Sequence, residues 1–255
     1  MQALILAAGF GKRLQPITDK IPKSLVEVNG VPLLVNALEC LSGRNIKEIL
    51  IVVGDKKEQI IEKLGHRYKN MKITYIENPV YQYTNNVYSF WLAKNYIHDD
   101  VLMLECDLFY HRALIDNFLE NCHAACNILV SKFDPVTMDG TVVETDEDDK
   151  VRSLIIKRDQ QLNRIDYANM AKTVNIYFYK EEFIVQKFLP AIELYVKTQS
   201  VDSYYELVLG SLIYYKNSDI FAIYCDSKEW CEIDDVGDLE RANALFRRNN
   251  EDGNV

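Results

Sequence analysis

The chain has 255 residues, 48% of them hydrophobic and 26% charged, which is enough to bury a substantial core without a disulfide scaffold. Its net charge of −9 withholds the basic footprint that nucleic-acid binding needs, and no run of about 18 apolar residues is present to span a bilayer. Small-molecule chemistry on a soluble scaffold is left, with no nucleic-acid partner and no membrane insertion expected.

Residues 1–9 carry neither a basic leader nor a cleavage pattern and run straight into a glycine-rich turn. The six cysteines, Cys40, Cys106, Cys122, Cys126, Cys225 and Cys231, form no CxxC pair. A cytoplasmic protein with free thiols is expected.

Through residue 110, short apolar runs at 3–7, 48–53, 72–76 and 100–105 alternate with helical patterns at 32–42, 57–64 and 87–96. Strands separated by helices of this length imply βαβ units and a parallel sheet, so the fold class is α/β, doubly wound and Rossmann-like. From residue 126 the rhythm changes to paired strands at 127–132, 140–144, 151–157 and 173–179, with turn signals at Asp139-Gly140 and over the acidic 145–150 stretch. These read as antiparallel additions to the same sheet, making it mixed. Helices at 181–198 and 203–214, a strand at 220–224 and a closing helix at 236–247 complete the chain. With no linker or repeat, one domain over 1–255 is expected, with a nucleotide-binding half at 1–110 and an acceptor-binding half at 111–255.

The first strand delivers the chain into Ala7-Ala8-Gly9-Phe10-Gly11-Lys12-Arg13-Leu14-Gln15-Pro16-Ile17-Thr18, followed by Pro22-Lys23. Two glycines allow a tight turn and close approach to a ligand, and backbone N–H groups in such a turn form a concavity for phosphate oxygens. Lys12, Arg13 and Lys23 add positive charge suited to a triphosphate under attack. A bare GxG can equally be no more than a βα turn. The dinucleotide pattern fails because residue 14 is Leu14, and no GK[ST] of a P-loop is present.

Acidic candidates lie at two places. Glu105-Cys106-Asp107 puts Asp107 at the carboxyl end of a parallel strand, where open α/β sheets bind ligands. Asp234 and Asp235 precede the last helix and serve either a metal or a helix cap, capping being the better role for Asp235, with Asp238 on solvated helix surface. Mg²⁺ takes one or two carboxylates together with phosphate oxygens and water, which Asp107 and Asp234 satisfy if the fold joins them. A zinc reading of Cys122, His123 and Cys126 is weak, because the cysteines sit four apart on an expected helix and no second ligand pair has zinc spacing.

The full string, Ala7, Ala8, Gly9, Gly11, Arg13, Leu14, Pro16, Thr18, Pro22 and Lys23 in order, resembles the signature of the nucleotidyltransferases that activate sugar phosphates and phosphocholine. The resemblance implies that the loop, including Leu6, Ala7, Ala8, Gly9, Gly11 and Lys12, wraps a nucleoside triphosphate, and that Arg13 and Lys23 are catalytic, neutralising charge on the reacting phosphates. It also implies Mg²⁺ on Asp107 and Asp234. Asn85-Asn86-Val87-Tyr88-Ser89-Phe90-Trp91-Leu92 resembles the NNxYSLxL run of the bacterial phosphocholine cytidylyltransferases, where sugar-activating members carry a GTA segment, so Asn86 and Ser89 are taken as nucleotide-binding and CTP as the nucleotide.

For the acceptor, an ammonium group calls for aromatic faces and carboxylates, and Tyr177, Asp202, Tyr204 and Glu206 are candidates, although so tyrosine-rich a chain clusters its rings by packing alone. Lys157 stands where sugar-activating relatives hold the acceptor phosphate, but without their EKP context. The resulting reading is a Mg²⁺-dependent cytidylyltransferase acting on a small phosphorylated, amine-bearing acceptor such as phosphocholine or a phosphonate. A sugar-1-phosphate nucleotidyltransferase using UTP or dTTP and a non-catalytic nucleotide-binding regulatory protein are the alternatives.

Overall fold

Continuous apolar runs suit strands covered on both faces. In the computed structural model, which describes residues 1–134, 138–156, 167, 170–215 and 219–247, such runs form the centre of a mixed sheet. Strands β1 (Gln2–Ala7), β2 (Glu48–Val53), β3 (Met71–Glu77) and β4 (Val101–Glu105) are parallel, in the spatial order β3-β2-β1-β4. The chain lays β2 and β3 on one side of β1 and then crosses to set β4 on the other. The carboxyl ends of β1 and β4 therefore lie side by side at a topological switch point, where open α/β sheets bind ligands.

After β4 comes a short strand, β5 (Leu108–Tyr110). The second half adds β6 (Cys126–Lys132), β7 (Val142–Thr145), β8 (Val151–Ile155), β9 (Met170–Tyr179) and β10 (Ile220–Cys225). Long β9 attaches this half to the first. Its later residues pair antiparallel with β4, its first residues pair with β7, and its other edge carries β6, which in turn carries β10 in parallel. The antiparallel additions expected beyond residue 126 are thus present in the same sheet. A last strand, β11 (Trp230–Glu232), pairs antiparallel with β5 apart from the main sheet.

The longer helices among the described residues are α1 (Leu33–Leu41), α2 (Lys57–Leu64), α3 (Asn86–Ala93), α4 (Arg112–Asn121), α5 (Leu189–Thr198), α6 (Tyr205–Tyr214) and α7 (Val236–Leu245). One face of the sheet, with Ile5, Ile51 and Leu104, is covered by Leu38 of α1, Ile60 of α2 and Phe118 of α4. The other, with Leu4, Leu50 and Met103, is covered by Phe90 of α3, Ile192 of α5 and Leu209 of α6. A third cluster joins Leu14 of the first loop to Ile233 and Ala242 near the end of the chain. Among the described residues no helix is long and apolar enough to cross a membrane.

Three expectations are corrected. The helical run 181–198 is interrupted by π-helix at Ile184–Phe188 before α5 begins. Helix α4 was not expected, nor was the β5–β11 pair, whose three-residue strands carry almost no periodic signal. Cys122 and Cys126 do not share a helix: Cys122 caps the end of α4 and Cys126 opens β6.

Phe90 packs against Tyr179, Phe188 and Tyr205 with no exposure. Replacing it with Ala should cost about 3–5 kcal/mol, measurable as a lowered midpoint in urea unfolding.

Candidate active site

The loop after β1 is shaped by its glycines. Gly11 takes φ 62°, in the left-handed region that penalises a side chain, and a Cβ there would come 2.9 Å from the Cβ of Lys23. Glycine at 11 lets the loop lie against the Lys23 segment, and Thr18 Oγ1 donates to the Gly11 carbonyl at 2.8 Å to hold it there. A Cβ at Gly9 would meet nothing within 4 Å, so the backbone there faces open space. Leu14, fully buried, anchors the short turn Lys12–Leu14 in the third cluster.

Lys23 reaches from this loop between two carboxylates distant in sequence, 2.7 Å from Asp107 Oδ2 and 2.7 Å from Asp234 Oδ1. Arg13 takes the other oxygen of Asp234 at 2.8 Å. The Ile233 N–H donates to the Asp107 carbonyl at 2.8 Å, continuing the β5–β11 pairing and fixing the two acidic segments against each other. Asp235 caps α7 in a capping box with Asp238, leaving Asp234 free to face Lys23. Asp238 is thus a half-buried capping residue whose carboxylate accepts from the N–H groups of Asp234 and Asp235, and not the solvated surface residue expected.

Glu232 and Glu105 are acidic groups that the sequence leaves unassigned. Oxygen atoms of Asp107, Glu232 and Asp234 lie within 4.8 Å of one another, and buried Asp107 Oδ1 has no hydrogen-bond partner. Glu232 is met by Lys172 at 3.2 Å and by Asn175 Nδ2 at 3.2 Å. Lys172, a lone lysine in an apolar strand, is almost fully buried. The available signal was the Glu-x-Asp pattern that occurs both at 105–107 and at 232–234, each starting on the last residue of a strand.

The charges reinforce this arrangement. Burial works against the charged form of Lys23, but Asp107 and Asp234 outweigh it and raise its pKa above the ordinary lysine value. Burial also opposes ionisation of Asp234, and Lys23 and Arg13 overcome that and lower its pKa. Glu206 shifts the other way, pushed up to about 7 by burial.

A cleft of about 730 Å³ runs over these groups. Leu6, Ala8, Gly9, Gly11, Lys12, Arg13 and Lys23 line one end, and Asn86, Ser89, Asp107, Asp234, Tyr204 and Glu206 also face it. Asn86 donates to Glu105 at 3.1 Å, and Ser89 Oγ accepts from Asn78 at 3.2 Å. Three candidates stand elsewhere. Ala7 alternates to the opposite face of the sheet, within the core against α1 and α2. Tyr177 is fully buried beneath the cleft, packed against Tyr179 and Tyr205. Asp202 is exposed outside the cleft, 3.5 Å from Asn85 Nδ2. Lys157 lies outside the described residues.

Residues 2–244 match the model of the family described as nucleotidyl transferase. The chain is 31% identical over 246 residues to the CMP-5'-(3-aminopropyl)phosphonate synthase of Streptomyces rubellomurinus, covering 96% of this chain and 39% of that protein. It therefore spans about two fifths of that relative's length. It is 28% identical to the choline-phosphate cytidylyltransferase of Streptococcus pneumoniae, over 98% of this chain and 100% of that one. The solved CTP:phosphocholine cytidylyltransferase from the same organism matches the fold with a TM-score of 0.77 at 23% identity, covering 96% of this chain and 99% of that chain.

The raised Glu206 pKa has a definite sign. Below about pH 4.5 the residue is protonated folded or unfolded and costs nothing; as pH rises toward 7 the unfolded state loses the proton first, and stability falls by about 3 kcal/mol. Glu206→Gln should remove this loss, so unfolding curves at pH 5 and pH 8 should separate less in the variant than in the parent.

Proposed function

Because this chain belongs to the nucleotidyl transferase family, we propose that it transfers CMP from CTP to a small phosphorylated acceptor bearing an amine, releasing pyrophosphate. The observation that carries this reading is Lys23, held between Asp107 and Asp234 at the glycine-loop end of the cleft. The choice of CTP is supported by Asn85 to Leu92 and by the names of the aminopropylphosphonate and choline-phosphate relatives.

An acceptor phosphate is already anionic at neutral pH, so no general base is needed. Its oxygen forms a bond to the α-phosphorus of CTP, the α–β anhydride bond breaks, and pyrophosphate leaves with the electron pair. The loop backbone at Gly9 and Gly11 binds the triphosphate. Lys23 and Arg13 stabilise the charge that grows on the phosphoryl oxygens, and placement plus electrostatics supply most of the acceleration.

The donor set fits a hard divalent cation: clustered carboxylate oxygens, one of them buried without a partner. Asp107 and Asp234, with Glu232 beside them, would hold Mg²⁺. When bound, it would neutralise phosphate charge and orient the reacting groups.

Pyrophosphate release measured with Mg²⁺, four nucleoside triphosphates and a panel of phosphocholine, aminoalkyl phosphates, aminoalkyl phosphonates and glucose-1-phosphate should peak with CTP and an amine-bearing acceptor. Lys23→Ala should reduce kcat about 10²–10³-fold while far-ultraviolet circular dichroism is unchanged. Turnover confined to sugar phosphates, or near-parental activity of the variant, would contradict the reading.

A further inference from the structure

Beyond the glycine loop, the cleft is lined by more carboxyl groups than cations. Asp107 and Asp234 take Lys23 and Arg13, and Glu232 takes Lys172. Glu105 and Glu206 have no cation within salt-bridge distance among the described residues; Glu105 receives the amide of Asn86, and Glu206 Oε1 receives the hydroxyl of Thr141 at a long 3.4 Å. Glu206 is 4% exposed and lines the cleft; its second oxygen, Oε2, is buried with no hydrogen bond of good geometry, although its own N–H and the Asn86 side chain lie near the carboxylate. A buried carboxylate oxygen left without a donor carries a desolvation cost that a ligand with N–H groups removes.

The same region is held rigidly. The Asn86 side chain donates to Glu105 and accepts from the Tyr205 N–H at 3.1 Å, so one residue of α3 fixes β4 and the start of α6 together. Glu105 and Glu206 both line the cleft. Lys172 lies within electrostatic range of Glu206 but is committed to Glu232 and to the Thr173 carbonyl.

Aromatic faces are few among the described residues of the cleft. The rings that line the cleft among the described residues are Phe10, Tyr81 and Tyr204. Phe10 and Tyr81 contact each other at the glycine-loop end, with Lys12 over the Phe10 ring, and Tyr204 is 39% exposed. A quaternary ammonium has no N–H to donate and is recognised through ring faces; a primary ammonium offers three donors to oxygens.

Resting on the proposal of an amine-bearing acceptor, we infer that Glu206, with Glu105 beside it, forms a subsite for a protonated primary ammonium, so that the acceptor is an ω-aminoalkyl phosphate or phosphonate and not a trimethylammonium one. The phosphate end of such an acceptor points toward Lys23 and its amine toward Glu206. Binding gives Oε2 a donor.

Steady-state pyrophosphate release with CTP and Mg²⁺ should give kcat/KM at least about 100-fold higher for phosphoethanolamine or 2-aminoethylphosphonate than for phosphocholine. Glu206→Gln, which keeps the shape, should raise KM for the primary-amine acceptor about 100-fold and leave KM for CTP within about twofold, and Glu206→Asp should fall between. Equal use of phosphocholine and phosphoethanolamine, or unchanged selectivity in Glu206→Gln, overturns the subsite while leaving cytidylyl transfer standing. Turnover with sugar phosphates alone, or with no acceptor, overturns both.

Discussion

The bridge from Lys23 to Asp107 and Asp234 is the contact on which the rest of the site depends. It joins the first loop to the end of β4, 84 residues on, and to the segment before α7, 211 residues on. Lys23 is only 11% exposed in its side chain, so each partner would be an uncompensated, partly desolvated charge without the others. The geometry is enforced from below by backbone: the β5–β11 pairing and the Ile233 to Asp107 hydrogen bond set the two acidic segments at fixed separation. Glycine at 11 permits the lysine to lie against its own loop. The fold thus brings the first loop, the end of β4 and the segment before α7 together in the absence of any ligand.

The sheet divides the work along the cleft. The switch point between β1 and β4 places the glycine loop and Asp107 at one end, and β9, with Lys172 and Asn175, carries groups of the second half up to the same floor. Asn86 and Tyr205 connect α3 and α6 across the far end, where Glu105 and Glu206 sit. The cleft therefore joins the loop that carries Lys12, Arg13 and Lys23 to the region of Glu105 and Glu206.

Much of this was legible in the sequence because its signals were local. The parallel strands could be read from unbroken apolar runs, and the glycine loop from a ten-position pattern ending in Pro22-Lys23. Asp107 could be placed because a strand end is a predictable position. The deeper groups could not be placed the same way. Glu232 and Lys172 acquire meaning only from each other, across strands whose pairing no local pattern encodes. Tyr177 misled because aromatic residues next to acids look alike in sequence whether they face a cleft or the core, and this strand is covered on both faces. Ala7 fell to the opposite face of the sheet by the alternation of side chains along a strand.

The most direct test of the central claim is a crystal structure with CTP and Mn²⁺ in place of Mg²⁺, with the metal located by anomalous scattering. The account predicts the triphosphate along residues 9–13, the metal against Asp107 and Asp234, and Lys23 in contact with phosphate oxygens. A nucleotide outside this cleft, or a metal bound away from both aspartates, would contradict it.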